Sequence, residues 1–189
     1  MSTVKIFYKD YQRGFVIISL IVAILGIPLA FYDAFLGGAM IVEGALLALF
    51  YAYFATKGKF SMLALPCFAM AAYQIYVLFL LLAQFGLGAG LLAFFMLAHA
   101  LTLVMTALLA MRIYVLKSIA GIISQLLMLA MVALGVWWII DGTWVLMNTN
   151  YSVVEYLIYY VPYTVMLIVP SAINLVYLRC FVPFKHDKK

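Results

Sequence analysis

The chain has 189 residues, 70% of them hydrophobic and 9% charged, with 11 Lys and Arg against 6 Asp and Glu. Its mean hydropathy is +1.22, whereas soluble domains are roughly half apolar and about a quarter charged. This composition excludes a soluble globular protein, and it excludes disorder, which requires low hydrophobicity and high charge.

A transmembrane helix takes about 20 apolar residues, so this much apolar sequence serves about six spans with short loops. The expected fold is an all-α integral membrane protein of six transmembrane helices. The sparse charges punctuate the chain. A polar segment, 1–13, carries Lys5, Lys9, Asp10 and Arg13 and leads into a first span, 14–35, which Gly37-Gly38 breaks from the second. The apolar stretch of the first span exceeds the roughly 7–15 residues of a secretory signal core, and no small-x-small cleavage site follows it cleanly, so it reads as a retained helix. The second span, 38–56, ends at Lys57-Gly58-Lys59, and the third, 60–85, at Gly86-Leu87-Gly88-Ala89-Gly90. A fourth span covers 90–111, Arg112 and Lys117 flank the next turn, and a fifth covers 117–140. The longest connection runs from Asp141 to Tyr151, followed by a sixth span, 152–178, and a basic tail, 179–189. The whole divides into three helical hairpins in series.

Short loops rich in Lys and Arg stay cytoplasmic. With the N-terminus inside, all 11 basic residues fall on one side, while Asp33, Glu43, Asp141 and Glu155 fall near the opposite ends of their helices. Both termini are therefore expected in the cytoplasm, and the expected location is the inner (plasma) membrane of a bacterium. The positive charge is then a topogenic signal and an attraction to anionic lipid. Nucleic acid is not an expected partner, since that would need a basic stripe on a folded face.

Several features have plain structural readings. Gly44, Ala48 and Ala52 recur every four residues on one helical face and let a neighbouring helix approach closely. Pro162 and Pro170 each remove a backbone donor and are expected to bend the sixth span. Cys67 and Cys180 sit toward the inner side as small apolar filler, and Asn150-Tyr151-Ser152 is a chance match to a glycosylation pattern.

Polar groups inside a bilayer are expensive and point to function by default. His99 lies at the centre of the fourth span, about 16 Å from either end at 1.5 Å per residue. Gln74 lies at similar depth in the third, and Thr102 and Thr106 follow His99 along its helix. Glu43 lies about two turns into the second span, and if it faces His99 or Gln74, one polar cavity opens outward. A carboxyl and an imidazole at that depth suit proton coupling. Nearer the outer surface, Asp33, Asp141 and Glu155 share a level with Tyr32, Trp137, Trp138, Trp144, Tyr156, Tyr159 and Tyr160, surroundings that suit an organic cation through charge pairing and cation–π attraction.

The absences narrow the chemistry. Only one of the two His residues falls in a span, His186 being in the tail, so a bis-histidine haem lacks a ligand. HExxH, GxSxG and Walker patterns do not occur, and no Lys falls mid-membrane for a Schiff base. No cofactor and no enzymatic activity are expected. The sequence points to binding or transport of a small solute, proton-coupled or cationic, by the chain alone or as the membrane subunit of a transporter. The alternative is a non-catalytic structural or assembly subunit whose polar groups hold helices and partner subunits together.

Overall fold

In apolar surroundings a backbone must satisfy its own N–H and C=O groups, and the α-helix does so within one segment. The computed structural model describes residues 2–57, 59–86, 90–150 and 152–180, and no strand occurs among them. Helix α1 covers Ser2–Leu29, α2 Ala34–Leu49, α3 Ala64–Phe85, α4 Gly90–Ala110, α5 Ile119–Asn148 and α6 Val153–Cys180. A π-helical turn, Phe50–Phe54, prolongs α2, and a 3-10 turn, Phe60–Leu63, leads into α3. Six helical stretches are long and apolar enough to cross a membrane. Gly58, the loop residues 87–89, Tyr151 of the glycosylation pattern and the tail from 181, with His186, lie outside the described residues, as do the side chains of Tyr159 and Cys180.

Packing divides the molecule into α1/α2, α3/α4 and α5/α6, each pair in far more extensive contact within itself than with its neighbours. The first pair meets along a seam of glycines. A Cβ on Gly44 would lie 2.5 Å from the Ala23 nitrogen and the Ser19 carbonyl oxygen, and one on Gly37 would lie 2.3 Å from the Ala30 nitrogen. Gly44 thus does what the small-residue stripe predicts. Ala48 is buried with it, but Ala52 is exposed in the π turn.

Gly37-Gly38 does not separate the first two helices. The chain turns at residues 30–33 instead, and both glycines lie inside α2. Asp33 starts that helix by accepting the Phe35 and Leu36 amides at 3.0 and 2.9 Å. The missing Cβ of Gly37 serves close helix approach, a role that sequence alone does not distinguish from a turn.

The long connection from Asp141 is likewise corrected, because α5 continues through Asp141, Gly142 and Thr143 to Asn148. A Cβ on Gly142 would stand 2.2 Å from the Tyr160 ring, so the glycine lets α6 close over α5. The Thr143 hydroxyl donates to the Ile139 carbonyl at 2.7 Å and lies 3.1 Å from the Tyr156 hydroxyl. Packing against α6 thus holds a polar segment helical.

The described Lys and Arg residues gather at the end of the bundle opposite the hairpin turns: Arg13 on α1, Lys57 and Lys59 after α2, Arg112 and Lys117 after α4, and Arg179 on α6. Partly buried polar ties fasten this end. Arg179 Nε donates to Gln125 Oε1 at 2.7 Å, and Gln125 Nε2 donates to the Leu116 and Gly121 carbonyls. The Tyr114 hydroxyl donates to the Met105 carbonyl and lies 2.6 Å from the Ser124 hydroxyl. Burial pushes the Tyr114 phenol up from its ordinary range, with the Ser124 contact opposing.

Tyr51, within the π turn, donates its hydroxyl to Asn174 Oδ1 at 2.8 Å, and the Tyr51 carbonyl accepts from Gln12 Nε2 at 2.6 Å. The Tyr51 ring packs against Phe15, Phe50 and Tyr177. Asn174→Leu takes away the acceptor of a buried hydroxyl and is expected to cost about 1–3 kcal/mol. Adding Tyr51→Phe should restore most of that loss in melting temperature, and a double-mutant cycle on the detergent-solubilised chain measures the coupling.

Candidate functional site

A chamber of about 230 Å³ occupies the half of the bundle nearer the hairpin turns. Its lining places it there: the start of α2 supplies Asp33, Leu36 and Ala39, and the second half of α3 supplies Tyr73, Gln74 and Gln84. The first half of α4 supplies Phe95 and His99, α5 supplies Trp138, and α6 supplies Tyr163, Met166 and Leu167. Pockets for drug-sized ligands run from about 300 Å³, so this one suits a more compact molecule.

Polar groups stand at both ends of the chamber. At the mouth, Oδ1 of Asp33 is taken up by its two backbone amides, and Gln84 lies near the end of α3. The Tyr73 hydroxyl, bonded to the Phe35 carbonyl, ties α3 to the start of α2 beside them. Deeper in, Gln74 and His99 are each only 2% exposed. His99 Nε2 is buried with no hydrogen-bond partner, as is Trp138 Nε1, and no hydrogen bond is formed by the Gln74 amide among the described residues. Buried polar groups are ordinarily paired, so these donors and acceptors stand out as unsatisfied within the described fold. The wall between the two ends is aromatic. Trp138 meets Phe95 edge-on with centroids 5.2 Å apart, and Tyr163 at 6.3 Å.

No protein-family model, curated protein or solved structure matches this chain. Among the described residues no group of three or more His, Cys, Asp or Glu is placed to hold a metal ion. What the chamber offers is shape, aromatic surface and unsatisfied hydrogen-bonding groups.

Of the residues singled out from sequence, the chamber brings together His99, Gln74 and Asp33. Glu43 is not in the lining. It is buried at 1% exposure, one helical turn beyond Ala39 toward the basic end, and neither carboxyl oxygen has a partner among the described residues. The expectation that one cavity takes in Glu43 together with His99 or Gln74 is not met by this chamber, where α2 contributes Ala39, one turn earlier, to the lining. Thr102 and Thr106 are buried but turn their hydroxyls back to the Ala98 and Thr102 carbonyls, at 2.8 and 2.7 Å.

The remaining carboxylates lie outside the chamber. Asp141 is half-buried within α5. Glu155 is exposed and closes a capping box at the start of α6: Glu155 Oε2 accepts from the Ser152 amide and hydroxyl, both at 2.8 Å, while the Glu155 amide donates to Ser152 Oγ at 3.1 Å. The Ser-x-x-Glu spacing is a sequence signature of that box. Of the aromatic belt, Trp138 turns inward, whereas Tyr32, Trp137 and Trp144 are exposed.

Sequence reading missed Gln84, Tyr73, Phe95 and Tyr163. Gln84 had a usable signal, a second amide within the third apolar stretch. The aromatic residues had none, since a ring in an apolar helix looks the same whether it faces lipid or a void.

Proposed function

We propose that this chain is a multi-pass protein of the inner membrane of a bacterium, with both termini in the cytoplasm, and that it binds and moves a small solute through the chamber between α2 and α6. The observation that carries this reading is the deeply buried His99, whose Nε2 has no partner among the described residues, beside the equally buried Gln74 on a void of solute size. Two such groups are costly unless they meet a ligand. The six apolar helices favour a bilayer setting, as does the run of large apolar side chains that α1 exposes from Ile17 to Ile27. By the positive-inside rule, the basic residues at one end favour an orientation with the chamber mouth on the outer side.

The movement of solute is supported by α6. Its chamber-lining stretch, Tyr163 to Leu167, is bracketed by Pro162 and Pro170. Each proline removes one helical hydrogen bond, which favours bending in this wall. Glu43, one helical turn beyond the chamber-lining Ala39 on α2, is the group we assign to proton coupling.

The test is thermal stability of the purified chain. A solute that binds only the folded state raises the melting temperature, by about 2.7 kcal/mol of stabilisation at a hundredfold excess over Kd. That rise should disappear in His99→Ala and Gln74→Ala at unchanged yield of folded protein. A chain that no small solute stabilises, and whose His99→Ala form fails to assemble with partner subunits, would be a structural subunit instead.

A further inference from the structure

The chamber's own chemistry narrows the solute to one class. We propose that its ligand is a compact aromatic amine, with the cationic nitrogen on Asp33 at the mouth, the flat ring against Phe95, Trp138 and Tyr163, and a hydrogen-bonding ring atom reaching Gln74 and His99. This inference rests on the solute-binding reading above and specifies its substrate.

Three observations carry it. The lining holds one carboxylate, Asp33, and neither Lys nor Arg. The described basic residues lie at the far end of the bundle, so the chamber repels anions and attracts cations. Asp33 spends only Oδ1 on capping α2. Its second oxygen has no hydrogen-bond partner among the described residues, which leaves it for an ammonium group, and charge-assisted hydrogen bonds are the stronger kind.

The wall beyond the mouth is built of rings. Phe95 and Trp138 meet at 90°, and Tyr163 stands 68° from Trp138. Such rings favour a flat aromatic body through offset or edge-on contact and an adjacent cation through their faces. An aliphatic amine would leave that surface unused.

The deep end supplies hydrogen-bonding groups, the Gln74 amide in the lining and the buried Nε2 of His99, which has no partner among the described residues. A purely apolar ring would leave them desolvated, so the ring must carry a polar atom on the side away from the amine. The size of the chamber, below that of drug-sized pockets, limits the ring system to one or two fused rings.

The probes are three indoles with the same ring and differently charged arms: tryptamine, N-acetyltryptamine and indole-3-acetate. Titrated by calorimetry into the full chain in detergent, tryptamine should bind about tenfold or more tightly than N-acetyltryptamine, the ratio expected for one charge-assisted hydrogen bond, and indole-3-acetate should bind weakest. Asp33→Asn is the decisive variant. Asparagine caps a helix as well as aspartate does, so α2 keeps its start while the charge is lost, and the preference for tryptamine over its acetylated form should vanish.

If N-acetyltryptamine binds as tightly as tryptamine, and both are lost in His99→Ala, the amine class is overturned and the chamber stands as a binding site. If tryptamine binds but neither His99→Ala nor Gln74→Ala weakens it, the chamber reading falls as well. If tryptamine does not bind, the amine class is overturned, and the solute-stabilisation test above still decides the chamber.

Discussion

Replacing Glu43 by leucine is expected to raise the melting temperature of the chain and to abolish solute movement. Glu43 is 1% exposed, and both carboxyl oxygens lack a hydrogen-bond partner. Moving a polar group from water to an apolar site without a compensating bond costs on the order of 2–7 kcal/mol. Leucine has a comparable volume without that penalty, and it packs among the apolar neighbours Met40 and Leu47 on the same helix face. A stabilisation of several degrees is the expected reading in detergent. Uptake should be lost at the same time if Glu43 carries the proposed proton coupling, because leucine has no exchangeable proton. Glu43→Gln should leave stability close to that of the native chain and still abolish uptake, since it removes the exchangeable carboxyl proton while keeping the shape. A leucine variant that melts earlier would mean that Glu43 has a partner essential to the packing of α1, α2 and α3, and the coupling role would be withdrawn.

Gly44→Val is expected to have the largest effect on folding. The α1–α2 crossing brings backbone against backbone at this position, with the Ala23 nitrogen and Ser19 carbonyl oxygen 2.5 Å from where a Cβ would stand. Overpacking a core that flexible side chains can relieve costs about 1–3 kcal/mol, and here the obstructing atoms are main chain. Two helices must separate over the whole seam that also contains Gly26 and Gly37. The expected result is little or no folded protein, seen as loss of the monodisperse peak in size-exclusion chromatography. Gly38→Ala is the matched control. A Cβ there meets only the Tyr73 hydroxyl oxygen, at 3.5 Å, and the variant should fold normally. Wild-type behaviour of Gly44→Val would show that α1 is not held at this distance.

Particular residues show what is legible in a sequence of this kind. Local rules hold where the chemistry is local. Glu155 follows Ser152 by three residues, and the pair forms the capping box that such spacing specifies. The same local reading fails where one residue type serves two ends. Gly37 has the composition of a turn and the function of a seam, and Asp141 looks like a loop residue yet continues a helix that Gly142 and Tyr160 hold together. In each case the deciding contact comes from another helix.

The six apolar helices, the sorting of Lys and Arg to one end, and the short roster of polar groups that an apolar interior does not explain are all legible from the residues alone. Length, hydropathy and charge are properties of segments, so they are readable along the chain. Which of those polar groups meet depends on how the helices pack against one another. A helix apolar on every side carries no amphipathic stripe to fix its rotation, so nothing in the pattern says that His99, Gln74 and Asp33 share a void while Glu43 lies one turn beyond its lining. That choice is made by the glycine seams and ring contacts that set how far apart, and at what rotation, the three hairpins pack.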